Sequence, residues 1–170
     1  MIDYGDSDRA FGKVKSCYFK NYVITLPGVT LRTTVMTGFP GETAASFARM
    51  LSDVKRMQFD HLGVFAYSPE EGTPGATMKG RPPMKVAQAR ALKIMAAQKK
   101  IWDGKAKSML GAELPALVVS PGVARLESQA PDVDGVVRFT EEDAAIAPVG
   151  EFVLVCLIEV KDYDFIDQIV

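Results

Sequence analysis

Residues 32–43 read Arg-Thr-Thr-Val-Met-Thr-Gly-Phe-Pro-Gly-Glu-Thr and carry the signals of three consecutive structural elements. The β-branched and apolar residues up to Thr37 predict a strand buried on both faces. Two glycines and a proline then predict a tight turn, and Thr43 is a suitable N-cap for a helix. This order is typical of a strand-to-helix loop at the mouth of an α/β barrel, where the active sites of barrel enzymes lie.

The sequence that follows continues the alternation of helices and strands. Apolar residues at spacings of three and four predict an amphipathic helix that ends near Gln58. Residues 62–67 (Leu-Gly-Val-Phe-Ala-Tyr) predict a second short buried strand, which a loop rich in Gly and Pro follows. A long helix is predicted to begin after Pro83 and to stop by Gly111.

The pattern changes after this long helix. Several short apolar segments are separated by Gly, Pro and Asp, and the longest covers residues 151–160. Such spacing predicts a small antiparallel barrel. Strand–helix units followed only by strands indicate two domains, with a boundary near residues 108–112. We therefore expect an atypical leader at residues 1–26, an α/β part at residues 27–110 and an all-β barrel at residues 111–170.

Charge is distributed unevenly between these two parts. Residues 1–110 carry 17 Lys and Arg against 9 Asp and Glu, whereas residues 111–170 carry 3 against 12. The balances are +8 and −9, and they indicate two modules with different partners. A barrel at −9 should repel nucleic acid, which binds through Lys and Arg, and should attract a basic protein.

The composition excludes several classes of protein. The sequence has no apolar run of about 18 residues, so we expect no transmembrane helix, and its acidic start lacks the features of a signal peptide. We expect a soluble, cytoplasmic protein. Cys17 and Cys156 are far apart, and with His61 they are too few to form a zinc or iron–sulfur site alone.

Three segments together resemble a known family, the radical S-adenosylmethionine methylthiotransferases. Residues 31–43 are similar to the fifth barrel strand of that family and its loop, and residues 59–74 (Phe-Asp-His-Leu-Gly-Val-Phe-Ala-Tyr-Ser-Pro-Glu-Glu-Gly-Thr-Pro) to the sixth. Residues 111–170 resemble its C-terminal TRAM domain. The resemblance implies the last two strand–helix units of a radical-SAM (TIM-like) α/β barrel, hence a partial barrel, followed by an all-β antiparallel, OB-like TRAM barrel.

Two branches of that family are candidates. One modifies an adenosine of transfer RNA (MiaB-type), and the other an aspartate of a small-subunit ribosomal protein (RimO-type). Four segments are similar to the second branch: residues 32–34, 63–73, 130–135 and 161–164. The acidic barrel favours the same branch, because ribosomal proteins are usually basic. The resemblance thus implies a ribosomal-protein aspartate methylthiotransferase that uses S-adenosylmethionine and two 4Fe–4S clusters.

The chain departs from the family where the iron–sulfur chemistry begins. The family binds one cluster at Cys-x3-Cys-x2-Cys and a second on an N-terminal domain with three more cysteines, and neither pattern occurs here. We expect a C-terminal fragment behind an unrelated leader, as a truncated or frameshifted reading frame would give, with no cluster and no activity alone. Three alternatives stay open: a non-catalytic binding module for a basic ribosomal protein, a transfer-RNA methylthiotransferase fragment, and a fragment that does not fold stably.

The resemblance also implies residues that line the S-adenosylmethionine pocket: Gly38, Phe39, Pro40, Gly41, Glu42 and Tyr67. A plain turn, with Glu42 near a helix N-terminus and Tyr67 half-buried at a strand end, is the alternative. Asp132 and Asp134 are expected to form part of the surface that binds the ribosomal protein, although a turn alone also explains them. No residue is predicted to be catalytic or to bind a metal, and His61 and the Glu70–Glu71 pair are expected to have no catalytic role.

Overall fold

The computed structural model describes residues 28–170, so the predictions for the leader at residues 1–26 and for Cys17 lie outside it. The chain divides into two compact units, and the boundary lies between Trp102 and Asp103. This boundary is inside a helix, before the predicted region at residues 108–112. No helix of the described part is long and apolar enough to cross a membrane.

The first unit contains two parallel strands and their helices. Its elements are β1 (Arg32–Thr37), α1 (Ala44–Met57), β2 (His61–Ala66), α2 (Pro74–Thr77) and the greater part of α3 (Met84–Met109). The strands pair in register from Arg32 opposite His61 to Thr37 opposite Ala66. The predicted N-cap is confirmed, because the Thr43 hydroxyl accepts the Ser46 N–H at 3.0 Å and the Ser46 hydroxyl accepts the Thr43 N–H at 2.9 Å.

One face of this two-stranded sheet packs on the helices, and the other is open. The apolar core joins the sheet to α1 and α3 and consists of Phe47, Val54, Phe59, Leu62, Ile94 and Ile101. On the opposite face, Met36 is 49% exposed and Phe65, directly across from it, is 61% exposed. The prediction that β1 is buried on both faces is therefore wrong, since no described element covers this side.

The second unit is a closed five-stranded barrel. Its elements are β3 (Glu113–Ser120), β4 (Val123–Leu126), β5 (Val137–Arg138), α4 (Glu141–Ile146), β6 (Phe152–Lys161) and β7 (Asp164–Ile169). The strands follow each other around the barrel in the order β3-β4-β5-β7-β6. Five strands closed in this way, with a helix between the third and the fourth, fit an OB-like barrel.

The prediction of an all-β, antiparallel barrel is wrong in two respects. β5 pairs with β7 in parallel, with Val137 opposite Phe165. The short helix α4 interrupts the run of strands, and Thr140 caps it by accepting the Asp143 N–H at 3.3 Å. Three acidic residues in its first turn favour the helix, because they lie at the positive end of its dipole.

Candidate functional site

The loop after β1 is folded back on itself. Gly38 has a φ of +80°, and α3 leaves no room for a side chain there, because Ala87 lies directly against it. The Gly38 N–H donates to the Glu42 carboxylate, and the Glu42 N–H donates to the Phe39 carbonyl at 3.0 Å. The Gly41 N–H donates to the Gly80 carbonyl at 3.1 Å. These three backbone donors are therefore used within the protein rather than offered to a ligand.

Glu42 is held by an ion pair that the sequence did not reveal. Nη1 of Arg90, on α3, lies 3.3 Å from Oε2 of Glu42, and the two side chains are only 14% and 10% exposed. The Arg90 guanidinium also lies 5.3 Å from the centre of the Phe47 ring. A buried carboxylate needs such a partner, because burial without one is costly. Glu42 thus closes the loop and connects it to α3.

Phe39 and Tyr67, predicted to share a pocket, are in contact. Their ring centres lie 5.1 Å apart in an edge-to-face arrangement. The Tyr67 N–H donates to the Thr37 carbonyl at 2.8 Å, which fixes this residue just beyond the end of β2. The Tyr67 hydroxyl is buried and has no hydrogen-bond partner among the described residues, whereas Phe39 is 42% exposed.

These two rings adjoin the open face of the sheet. Parallel strands end at the same edge, so Phe39 and Tyr67 lie beyond the ends of the strands that carry Met36 and Phe65. The exposed side chains of Phe39, Met36 and Phe65 suit contact with a flat apolar group, whereas the buried Tyr67 hydroxyl is packed against Gly75. The adenine ring of S-adenosylmethionine is a flat group of this kind, so these side chains are compatible with contact to it. Gly38 and Pro40 are buried, and Gly41 is exposed.

The described residues do not fit an iron–sulfur cluster. Among residues 28–170, no three or more His, Cys, Asp or Glu side chains are grouped so that they could hold a metal ion. Cys156 lies on the outward row of β6 and is only partly buried. A cluster requires several thiolates, and a single one does not supply them.

The two predicted substrate-binding carboxylates have different surroundings. Asp132 is exposed, with a φ of +59°. Asp134 instead closes its own turn, because its Oδ2 accepts the Ala130 N–H at 2.7 Å. The chain is packed tightly just after it, since a side chain at Gly135 would overlap the Tyr163 carbonyl. The structure therefore brings both residues to one loop but leaves only Asp132 directed to solvent.

The barrel face that OB folds use for oligonucleotides carries little free positive charge. That face is formed by the second and third strands, here β4 and β5, and by two nearby loops. Arg125 and Arg138 lie on the outward rows of these strands. Nε of Arg138 lies 2.7 Å from Oδ2 of Asp164, so a carboxylate already neutralises it. A surface of this kind is poorly suited to bind phosphates.

A carboxyl group lies inside the barrel. Asp167 of β7 is fully buried on the inward row, opposite Leu157, and neither of its carboxyl oxygens has a hydrogen-bond partner among the described residues. Burial, and second the nearby charge of Asp143, raise the pKa of Asp167 to about 7, against a small opposing effect of its own backbone N–H. Asp167 is not among the residues predicted from the sequence, although its position two residues from both Phe165 and Ile169 in an apolar strand pattern was a signal.

Comparison with known proteins gives two findings. The profile of the TRAM domain family matches residues 117–170, which is most of the barrel. Proteins named ribosomal protein uS12 methylthiotransferase RimO are similar over most of the chain. The one from Opitutus terrae is 42% identical over 141 residues, which is 83% of this chain and 29% of the relative.

Other relatives of the same name agree with this match. The protein from Myxococcus xanthus is 37% identical over a segment that covers 85% of this chain and 31% of the relative. The protein from Solibacter usitatus is 36% identical over a segment that covers 84% of this chain and 32% of the relative. The chain therefore spans a little under a third of the length of these relatives.

Proposed function

Because this chain belongs to the RimO family of ribosomal protein uS12 methylthiotransferases, we propose that it is the C-terminal part of such an enzyme. The reaction of the complete enzyme is the transfer of a methylthio group to the β-carbon of an aspartate in uS12. Residues 28–110 are, in this proposal, the last two strand–helix units of a radical-SAM barrel, with the long connecting helix. Residues 111–170 are the substrate-presenting TRAM domain, and the site of action is the cytoplasm.

One observation carries the proposal for the first unit. β1 and β2 are parallel, with α1 and α3 on one face and exposed Met36 and Phe65 on the other. In an α/β barrel the helices lie outside and the opposite face of the sheet lines the interior. At its carboxyl end, this open face carries the apolar side chains of Met36 and Phe65, which supports its assignment to a barrel that other strands complete.

The cofactors follow from the same proposal. Phe39, on the loop that Gly38 and Glu42 shape, and Tyr67, just beyond the end of β2, would form one wall of the S-adenosylmethionine pocket. The two 4Fe–4S clusters supply the radical and sulfur chemistry in the complete family. Their ligands are not among the residues of this chain that the structure describes, so we expect the chain alone to bind no cluster and to have no methylthiotransferase activity.

We assign the partner from charge. Residues 111–170 carry 12 acidic and 3 basic side chains, and two of the basic ones, Arg125 and Arg138, lie on the face that would otherwise receive an oligonucleotide. This balance disfavours transfer RNA and favours a basic ribosomal protein. The acidic barrel also supports a second candidate, a binding module that holds uS12 without chemistry.

Binding of the purified chain tests the branch of the family. Fluorescence anisotropy with labelled uS12, and in parallel with bulk transfer RNA, should show saturable binding of the protein only. Binding should weaken as salt is raised, because exposed charges that attract each other are screened. Tight, salt-sensitive binding of transfer RNA without binding of uS12 would replace this proposal by the transfer-RNA branch.

A further inference from the structure

The barrel has an exposed apolar surface that its own fold leaves uncovered. On the outward rows of two adjacent strands, Leu117 lies opposite Phe152 and Pro115 opposite Leu154, and Val119 continues the row on β3. Phe152 is 72% exposed, Leu154 43% and Val119 42%. We call these five residues the β3–β6 face. Apolar side chains that are contiguous and exposed, with polar residues around them, are typical of a binding surface.

This face binds through side chains rather than by adding a strand. β3 is paired with β4 on one side and with β6 on the other, and β6 is paired with β7. The barrel is closed, so neither strand has a free edge that an extended peptide could join. A partner must therefore contribute an apolar side chain that packs against Phe152 and Leu154.

The charges around the face select the kind of partner. Glu113 lies opposite Cys156 at one end of the face, and Glu151 directly precedes Phe152; both are exposed. Arg125, opposite Leu117, is the basic residue on the border. A second copy that docked through the same face would bring another acidic barrel, and nucleic acid would bring phosphates, so both of these arrangements are repelled. A segment with basic residues next to an apolar one is complementary.

We propose that the β3–β6 face, flanked by Glu113 and Glu151, is where the barrel docks a basic segment of its ribosomal-protein substrate that carries an exposed apolar side chain. The inference rests on the proposed function, which supplies the partner, and goes beyond it by locating the contact away from the oligonucleotide face of OB barrels. Phe152 and Leu154 provide the apolar contact, and the two glutamates steer the basic residues of the partner.

The test is binding of labelled uS12 to the full 170-residue chain, with and without changes to the face. Replacing both Phe152→Ser and Leu154→Ser should weaken the affinity about tenfold or more, as loss of central apolar contacts does. Replacing both Glu113→Gln and Glu151→Gln should weaken it about threefold and flatten its salt dependence, as loss of peripheral charges does. The control is Leu92→Ser on α3, because this leucine is 70% exposed but lies in the other unit; its affinity should be that of the wild type.

The outcomes separate the two proposals. If the wild-type chain does not bind uS12, the proposed function fails, and the docking face with it. If the wild type binds and the double serine variant binds within about twofold of it, only the docking face is wrong. A wild-type dimer that dissociates in this variant, seen by sedimentation, would assign the face to self-association instead. If circular dichroism shows that the double variant does not fold, the single variant Phe152→Ser is tested in its place. Phe152 is the more exposed of the two side chains, so its replacement disturbs the fold less.

Discussion

At the level of single residues, Asp167 places a titratable group inside an otherwise apolar barrel. The pKa of Asp167 is about 7 in the folded barrel, against an ordinary value of 3.8. Between these two pH values, the folded barrel holds a proton that the unfolded chain has released. Folding is therefore favoured by this residue at low pH. The contribution is lost as the pH rises from about 4 to about 7, because the unfolded chain gains stability by releasing this proton in that range while the buried carboxyl keeps it.

Asp167→Asn removes this dependence. The wild-type barrel should lose about 2–3 kcal/mol of unfolding free energy between about pH 5 and about pH 8, since one pKa unit corresponds to about 1.4 kcal/mol. The variant should lose much less over the same range. Thermal unfolding followed by circular dichroism at several pH values measures the difference.

Glu127→Gln is the matched control for this experiment. Glu127 is an exposed carboxylate of the same barrel, so the substitution should leave the pH profile of the wild type unchanged. If the wild type is as stable at about pH 8 as at about pH 5, Asp167 does not titrate in this range and the account of its burial is wrong.

At the level of elements, the end of β1 and the start of α3 approach each other closely. Gly38 lies against Ala87, and the adjacent Thr37 is fully buried, with its hydroxyl donating to the Ala87 carbonyl at 2.8 Å. The loop that borders the proposed pocket is thus set by the position of a helix that begins some 45 residues later in the chain. A substitution at Gly38 therefore affects the packing of α3 as well as the turn.

Gly38→Ala should destabilise the first unit by about 3 kcal/mol, because it combines an unfavourable positive φ with an overlap against α3. Gly72→Ala is the matched control: its φ is also +80°, but nothing lies within 4 Å of the added carbon. The control should therefore lose only about 1 kcal/mol. Urea unfolding followed by the fluorescence of Trp102, the single tryptophan, reports on this unit. Equal losses in the two variants would show that the contact with Ala87 is unimportant.

The regular elements of this chain were well predicted where local signals agree. The strand at residues 32–37, the cap at Thr43 and the helix after it follow from β-branched residues, hydroxyl capping and apolar spacing. α4 was missed because its six residues show too little periodicity to distinguish them from a loop. The parallel pairing of β5 with β7 was missed as well, since it joins residues far apart in the sequence, and periodicity within a strand does not reveal its partner.

Only part of the candidate site could be predicted from the sequence. Phe39 and Tyr67 were placed in one pocket by resemblance, and the structure brings their rings together. Arg90 was not foreseen, because a single basic residue in a long helix resembles many solvent-exposed ones. Its role becomes visible only when the loop and the helix are positioned in space.

For the whole molecule, the two units differ in how completely they bury their own surfaces. The barrel closes its strands on themselves, whereas β1 and β2 form a two-stranded sheet with one face uncovered. The sequence predicts burial on that face because the strand composition suits a barrel interior. The composition of a strand indicates the environment to which it is suited. It does not indicate whether the other strands that would cover the exposed face are part of the same unit.

The proposed lack of cluster ligands is a prediction about the whole chain. After anaerobic reconstitution with iron and sulfide, the purified chain should show no 4Fe–4S signal by electron paramagnetic resonance in the reduced state. Its small residual iron content should be the same in a Cys17→Ser, Cys156→Ser double variant, which removes both thiols. A cluster signal that disappears in this variant would mean that the chain holds a cluster by itself, contrary to the chemistry of cluster ligation.

The outward position of Cys156 has a practical consequence. It lies on β6 two residues beyond Leu154 and opposite Glu113, at the border of the β3–β6 face. The chain contains one other cysteine, Cys17, so replacing that residue leaves a single thiol for attachment of a fluorophore. A dye at this position would respond to the polarity of the adjacent surface. The fluorescence of the labelled barrel would then report binding at this face directly, with no label on the partner.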